Sequence, residues 1–526
     1  MTPQAAVAAR PDTETLAQPA PRPEDGTRLV SLVAAAPAAD PVRVFEEVLG
    51  QGRDAILWYL PAQGFALVGV GAVATLAAKG AGRFSHVARE WRVLAETALC
   101  LSWPGAISDP AGDEDRGENR GENHGGSHGK NHGETELLAA SNGPAPGPLA
   151  MGGFAFAAGG HDGPWAPFGD ARFWVPRWVY RLEGGRAWVH VQARAGIDDD
   201  LAAARRLAEA ELAACQVGLA SACAATGGPK AASAPAGWDT GPPAGAAGRL
   251  AIARRDVPAK EQWLAAVDAA VRAIRAGKLA KAVLARTVEV STPGGFAPGP
   301  ALRYLREHYP DCYIFAVAHG GRCFLGATPE RLVRLHGGEV QVACLAGSIA
   351  RGSTPDEDRR LGDALLGSAK NRHEHQLVLQ AIRAALAPLC AEIEAPAEPG
   401  LLKFANVQHL YTPVRARLGA GAGIFDLAER LHPTPAMGGH PTDEALALIR
   451  ELESADRGWY AGPVGWVDVR GEGEFAVAIR SALLAGERAL LYAGCGIVAD
   501  SDAESEFEES CLKLRPMLAA LGANGG

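Results

Sequence analysis

The sequence lacks three features that define common classes of protein. Its nine cysteines are scattered and odd in number, without a Cys-x-x-Cys pair, which fits a reducing compartment better than a disulfide framework. No apolar stretch reaches the roughly 20 residues of a membrane helix. The net charge is −9, and no block is rich in lysine and arginine, which argues against a groove for nucleic acid. We therefore predict a cytoplasmic protein with no nucleic-acid and no membrane partner, and a monomer by default.

Three irregular segments divide the 526 residues. Residues 1–26 are rich in proline, alanine and charged residues, and this composition predicts a disordered leader. A low-complexity insert covers about 105–147, and a Pro/Gly/Ala-rich break at 228–248 precedes the last part of the chain. We expect residues 27–248 to form the N-terminal part of the fold and 249–526 the catalytic region.

The insert contains His124, His128 and His132 at a spacing of four. Such a spacing could bind a transition metal weakly. The alternative is a solvated repeat without a function, which the Gly- and Asn-rich surroundings favour.

The C-terminal part alternates helices with β-hairpins. Apolar residues recur at helical spacing over 259–279, and the next segment, 281–290, is β-rich. Glycine pairs at 320–321 and 337–338 predict hairpin turns, and we expect the segment 475–484 to pair as one strand with 489–498. A Gly-x-Gly-x-x-Gly fingerprint is lacking, so a dinucleotide fold is not supported. The predicted class is α+β, with packed antiparallel β-sheets surrounded by helices.

The last predicted helix places Glu506, Glu509 and Lys513 on one face, because they stand at positions i, i+3 and i+7. Such a set often forms only a solvated ladder of charges. The preceding strand ends in Gly494 and Gly496, where a backbone can approach a ligand closely. This combination favours a binding site.

The helix that follows residue 371 carries a carboxylate near its apolar face. The predicted apolar stripe consists of Leu377, Val378, Ala381 and Ile382. Glu374 lies on the same side, where an ionised carboxylate is costly unless it is paired or bound to a metal. His373 and His375 do not have the His-Glu-x-x-His spacing of a zinc site. Glutamates with water would suit a hard ion such as Mg²⁺.

Three further residues have polar side chains at informative places. Strand alternation over 475–480 puts Arg480 on a face with alanines, which leaves room for a carboxylate in front of its guanidinium; a structural salt bridge is the alternative. Lys281 begins a strand directly after a helix, and Glu330 follows a strand end. By themselves the last two positions carry no assignment.

Nine segments together resemble the chorismate-utilising enzymes, the family of isochorismate synthase, salicylate synthase, anthranilate synthase component I and aminodeoxychorismate synthase. The resemblance covers about 250–520. The segments are KAVLAR (281–286), FLGATPERL (324–332), LAGSIARG (345–352), SAKNRHEHQLV (368–378), LHPTPAMGGHP (431–441), DRGWYAGPVGW (456–466), FAVAIRSALL (475–484), YAGCGIV (492–498) and ESEFEESCLKL (504–514).

Within this family, Lys281 and the HPTPAMGG segment look like the isochorismate synthase branch, and no LLES-like feedback motif is found. The resemblance therefore implies a chorismate-binding-enzyme fold and the conversion of chorismate to isochorismate, with a role in menaquinone or siderophore synthesis. Salicylate synthase shares the lysine and stays an alternative, as does an aminating enzyme. Met437 stands where relatives more often have a smaller or branched residue, which leaves the product open.

The resemblance also implies catalytic and metal-binding roles for five residues. Lys281, in neutral form, would take a proton from the water that attacks C2 of chorismate. Glu330, in protonated form, would give a proton to the C4 hydroxyl as it leaves. Glu374 and Glu509, with Glu506 assisting, would hold Mg²⁺.

The remaining assignments concern the carboxylates of chorismate. Arg480, Lys513 and the backbone at Gly347 and Gly494 would bind them. His409 would contribute to the side of the pocket.

Overall fold

The protein is described by a computed structural model over residues 26–102, 144, 147–159, 161–224, 252–403 and 407–523. The predicted leader up to residue 25 and the break at 228–248 lie outside these residues. So does nearly all of the predicted insert, including His124, His128 and His132. Predictions about these segments stay predictions.

Within the described ranges the chain forms ten α-helices. They are α1 (Pro41–Gly50), α2 (Arg83–Glu96), α3 (Leu201–Ala224), α4 (Lys260–Arg275), α5 (Pro298–His308), α6 (Pro355–Gly367), α7 (Ala369–Leu386), α8 (Ile424–Leu431), α9 (Thr442–Leu452) and α10 (Ala503–Ala520). Short 3₁₀ helices occur at Pro61–Gln63 and Gly163–Trp165. Where the structure describes helices, none combines the length and apolar character needed to span a bilayer.

Within the described residues, ten strands precede α4 and thirteen follow it. The first group is β1 (Thr27–Ala36), β2 (Ala55–Leu60), β3 (Phe65–Val70), β4 (Ala74–Ala78), β5 (Leu99–Ser102), β6 (Leu149–Phe154), β7 (Ala171–Val175), β8 (Trp178–Glu183), β9 (Arg186–Gly196) and β10 (Ala253–Val257). The second group is β11 (Lys281–Ser291), β12 (Tyr313–His319), β13 (Arg322–Thr328), β14 (Arg331–His336), β15 (Glu339–Ala350), β16 (Cys390–Glu394), β17 (Gly400–Lys403), β18 (Val407–Leu418), β19 (Gly439–His440), β20 (Pro463–Asp468), β21 (Gly473–Val477), β22 (Ser481–Ala485) and β23 (Arg488–Ile497).

Among the described residues these strands form two sheets. The larger sheet has thirteen strands in the order β10-β11-β23-β22-β13-β12-β2-β3-β8-β9-β1-β5, with β19 beside β11. The smaller has ten, in the order β16-β18-β15-β14-β21-β20-β6-β7-β4, with β17 beside β18. Among the strand pairs that the structure describes, only β1 and β5 run in parallel. The α+β class with large antiparallel sheets is confirmed.

Strands from both sides of the 228–248 break share each sheet. In the larger sheet β2 pairs with β12, so that Leu57 stands opposite Ala316. In the smaller sheet β6 pairs with β20, so that Gly152 stands opposite Gly465. The N-terminal strands thereby extend the sheets that the C-terminal strands form.

The prediction of one continuous strand over 475–484 is wrong. The segment ends its run in the smaller sheet at Val477 and enters the larger sheet at Ser481. Between them the chain changes direction, and Arg480 has a φ of 51°. A bulky side chain rarely adopts this left-handed region, but the passage of one segment between two sheets requires a sharper bend than strand pleating provides.

The predicted apolar stripe of α7 is displaced by one residue. Its buried residues are His375, Val378, Leu379, Ile382 and Leu386, whereas Leu377 and Ala381 are half-buried. The buried imidazole of His375 bonds to Ala346 O at 3.2 Å and to the Thr412 hydroxyl at 2.8 Å. A polar residue at an apolar position is tolerated here because both of its nitrogens find partners.

Candidate active site

All ten predicted site residues line one cavity of about 460 Å³. They are Lys281, Glu330, Gly347, Glu374, His409, Arg480, Gly494, Glu506, Glu509 and Lys513. A second cavity, of about 570 Å³, contains none of these ten among its lining residues, and it shares the side chain of Arg457 with the first. The smaller cavity is therefore the candidate site, although the other is larger.

Lys281 enters the cavity from the first position of β11. Its side chain is 12% exposed, and Nζ donates a hydrogen bond to Glu374 Oε1 at 2.5 Å. The neighbouring strand β23 leaves room for it at Gly496, because a Cβ there would lie 2.8 Å from Lys281 Cε. A side chain at position 496 would therefore displace the end of the lysine. Glu374 projects from α7 as predicted, and it forms an ion pair with this lysine.

Glu330 follows β13 directly, as predicted. Its backbone N–H donates to the Thr328 hydroxyl at 3.2 Å, and its carbonyl accepts from Val477 N at 2.9 Å. Burial raises the pKa of the Glu330 carboxyl from 4.5 to about 7, although Lys281 and Lys513 act in the opposite direction. A substantial fraction of this carboxyl is therefore protonated at neutral pH, as a proton donor requires.

Arg480 and Lys513 provide the cationic side of the cavity. Arg480 Nη1 donates to Lys513 O at 3.3 Å. Lys513 Nζ donates to Gly494 O at 2.9 Å and to Glu509 Oε1 at 2.6 Å. Burial lowers the pKa of Lys513, but neighbouring groups that include the Glu509 carboxylate raise it by more, and the net shift is upward. Both side chains are cationic at neutral pH and can attract carboxylates.

Gly347 and His409 lie beside these cations on neighbouring strands. Gly347 has a φ of 80° in the bulge between β15 and β18. A Cβ at this position would lie 3.1 Å from Asn371 Cβ, which is closer than most side chains allow. His409 Nδ1 lies 2.6 Å from the Ser348 hydroxyl oxygen. Burial, followed by Arg480 and Lys513, lowers the pKa of His409 to about 4. This imidazole is therefore neutral at physiological pH.

Two of the three predicted metal ligands come together. Potential ligand atoms of Glu506, Glu509 and Cys495 all lie within 4.8 Å of one another. Glu374 is outside that group and bonds to Lys281. Cys495 Sγ donates to Glu506 O at 3.2 Å, and burial raises its pKa to about 12, so it is a thiol. The oxygen donors present suit a hard divalent cation, whereas a neutral thiol does not.

Several residues that line the cavity have no role among the predictions from sequence. Tyr460 stacks on Tyr492, with ring centroids 5.0 Å apart, and its hydroxyl faces Gly494, 3.1 Å from the position of a Cβ. Arg457 also lines the cavity, and so does Met437, which the sequence had already singled out. Tyr460 and Arg457 lie within DRGWYAGPVGW, so their place in that motif was the available signal.

The sequence matches the family model described as chorismate binding enzyme over residues 15–105 and 116–522. It is 51% identical over 287 residues to the salicylate biosynthesis isochorismate synthase of Pseudomonas aeruginosa, which covers 55% of this chain and 59% of that protein. It is 48% identical over 263 residues to isochorismate synthase MenF of Bacillus subtilis, which covers 50% and 56%. The chain thus spans less than two thirds of the length of either relative.

Two solved structures resemble the fold over most of its length. An isochorismate synthase described as 2,3-dihydroxybenzoate-specific, DhbC of Bacillus anthracis, is 26% identical with a TM-score of 0.63, covering 90% of this chain and 96% of that one. The menaquinone-specific isochorismate synthase MenF of Escherichia coli is 23% identical with a TM-score of 0.65, covering 94% and 95%. The second likeness concerns the fold alone.

Proposed function

Because the chain belongs to the family of chorismate-binding enzymes, we propose that it is an isochorismate synthase, which adds a hydroxyl group from water at C2 of chorismate and removes the hydroxyl group at C4. The observation that carries the proposal is the convergence of Lys281 and of Glu330, with its pKa of about 7, on one cavity. A proton acceptor and a proton donor are the two groups that this isomerisation needs. The names of the relatives at 51% and 48% identity support it.

The cavity is suited to a small dicarboxylate with an apolar ring. Its volume of about 460 Å³ is in the range of small-molecule sites. Arg480 and Lys513 supply two cations, and the backbone at Gly347 and Gly494 can approach a ligand closely because neither has a side chain. The neutral His409 would complete that side without adding charge.

The reaction then requires a balanced exchange of water. Lys281, in neutral form, would take a proton from the water whose oxygen attacks C2. Glu330 would give its proton to the C4 oxygen, which leaves as water, and the ring double bonds shift between the two carbons. One water is consumed and one is released. The ion pair with Glu374 holds Lys281 Nζ in the cavity, and Lys281 must lose a proton before it can act as the base.

We further propose that Glu374, Glu506 and Glu509 hold Mg²⁺ when it is bound. The ion would offset the negative charge of the ring carboxylate. Burial, together with Glu509, raises the pKa of Glu506, whereas the Ser501 hydroxyl opposes this shift. Two close carboxylates of this kind are a suitable donor set for a hard cation. The predictions of a cytoplasmic location and of a monomer rest on the sequence and stay predictions.

The test is turnover of chorismate with Mg²⁺ and without an amine, with the products separated by chromatography. We expect isochorismate from the natural protein and none from Lys281→Ala. Salicylate with pyruvate would assign the chain to the salicylate synthase branch. A reaction that begins only after ammonia is added would identify an aminating enzyme and overturn the role of Lys281.

A further inference from the structure

A buried ion pair lies between the candidate site and the second cavity. Glu453 is the C-cap residue of α9, and Arg457 follows it by four residues. Their side chains are 8% and 5% exposed, respectively. Arg457 Nη2 donates to Glu453 Oε1 at 2.5 Å, and Nε donates to Oε2 at 2.8 Å. The pair is therefore bidentate and largely removed from water.

Both side chains also bind the backbone of β11, the strand that begins with Lys281. Arg457 Nη2 donates to Val283 O at 2.6 Å, and Glu453 Oε1 accepts from Ala285 N at 2.7 Å. Together they bond to alternate residues along one edge of the strand, as a neighbouring strand would.

This edge of β11 has a gap between its two neighbours. Strand β10 pairs with residues 287–291, and β19 pairs only with Lys281 and Ala282. In the part of the chain that the structure describes, no strand is paired with this edge at 283–286. The ion pair occupies that gap, so two side chains take the place of a strand beside the segment that holds the lysine.

Arg457 also binds the segment that precedes β19, which lies along the same edge of β11. Arg457 Nη1 donates to the carbonyl of Met437 at 3.2 Å, and Val283 N donates to Gly438 O at 2.9 Å. The Arg457 guanidinium lies 4.1 Å from the centre of the Phe156 ring. One guanidinium thus joins β11, the Met437 segment and α9 while it lines both cavities.

We propose that Glu453 and Arg457 are positioning residues that set the place of Lys281 by completing the edge of β11. The inference rests on the proposed function, in which Lys281 is the base. A displacement of about 1 Å in a reacting group can lower a rate by roughly 100-fold. Loss of the edge contacts should therefore reduce kcat, whereas chorismate is held by Arg480 and Lys513 on other elements and its KM should change little.

Two substitutions of Glu453 separate positioning from general stability. Both Glu453→Gln and Glu453→Ala remove the negative charge and leave the buried Arg457 cation unpaired. Only the glutamine keeps a carbonyl oxygen that can accept from Ala285 N. We expect kcat to fall by roughly 100-fold in Glu453→Ala and by less than about 10-fold in Glu453→Gln, with KM for chorismate within about twofold of the natural value in both.

Asp358→Asn is the matched control. Asp358 is also a buried carboxylate that pairs with cations, Arg351 at 2.6 Å and Lys403 at 2.8 Å, but it does not line the candidate site. Its loss should lower the melting temperature, as the Glu453 substitutions do, and leave kcat near the natural value. Arg457→Lys keeps the charge but not the bidentate contact. Its kcat should lie between those of the two Glu453 variants.

Hydrogen–deuterium exchange on the full-length proteins measures the edge directly. Peptides that cover 281–286 should exchange faster in Glu453→Ala than in Glu453→Gln, because only the alanine leaves the Ala285 amide without its acceptor. Equal exchange and equal kcat in the two variants would overturn the inference, as would a loss of activity that appears as a rise in KM alone. If the natural protein does not convert chorismate, the proposed function fails, and the exchange comparison still decides whether the pair orders the strand.

Discussion

Replacing Glu330 with glutamine should abolish most of the activity and also change how stability depends on pH. The substitution keeps the size of the side chain but removes its transferable proton. General acid catalysis contributes about 10²- to 10⁴-fold to a rate, so kcat should fall by a factor in that range. The loss should appear in kcat more than in KM, because the cations proposed to bind chorismate are unchanged.

The stability effect follows from the pKa of Glu330, which burial raises from 4.5 to about 7. Between these values the folded state retains a proton that the unfolded state has lost. The stabilisation of the folded state by this proton is therefore fully present below about pH 4.5 and is lost as the pH rises through 7. A shift of one pKa unit is worth about 1.36 kcal/mol, so the rise in the pKa of Glu330 corresponds to roughly 3 kcal/mol of folding free energy. The glutamine variant has no such loss.

The assay compares melting temperatures of the two proteins at about pH 5 and about pH 8. Glu330→Gln should gain several degrees relative to the natural protein on going to the higher pH. Glu444→Gln is the control, because Glu444 is exposed on α9, and its offset should not depend on pH. An offset for Glu330→Gln that is the same at both values, or a kcat near normal, would refute the assignment of Glu330 as a buried proton donor.

Three further predictions concern the same cavity. Lys281→Ala should remove turnover and leave chorismate binding, measured by calorimetry, largely intact; a near-normal rate would exclude it as the base. Gly496→Ala should lower kcat by roughly 100-fold, because its Cβ would lie 2.8 Å from Lys281 Cε, and unchanged kinetics would mean that the lysine acts from another position. Glu374→Gln and Glu509→Gln should each raise the Mg²⁺ concentration that gives half-maximal rate by a large factor, and an unchanged requirement would remove that residue from the metal site.

The fold class and most elements of the C-terminal part could be predicted because local patterns determine them. Apolar spacing located α4, and glycine pairs located the turns of two hairpins. The predicted last helix corresponds to α10, which contains Glu506, Glu509 and Lys513. The strand 475–484 failed because its alternation of side chains continues almost to the point where the chain leaves one sheet for the other. That change depends on the packing of two sheets, which a single segment does not encode.

That ten distant residues lie close together was predictable from motifs, but the contacts among them were not. The family resemblance identified ten residues that span more than 200 positions of sequence, and the fold places all ten around one cavity. It did not indicate that Lys281 pairs with Glu374, or that Glu453 and Arg457 complete the edge of β11. Those contacts join elements far apart in the chain and leave no periodic signal. The roles of the individual residues stay predictions.

The central claim, that Lys281 activates an external water for attack at C2, is tested most directly by running the reaction in water labelled with heavy oxygen. Chorismate is supplied with Mg²⁺ and no amine. The earliest products are separated, and their masses are measured by mass spectrometry. We expect isochorismate as the sole product, with one heavy oxygen atom at C2, and no product from Lys281→Ala. Isochorismate without the label, or salicylate and pyruvate in its place, would contradict it.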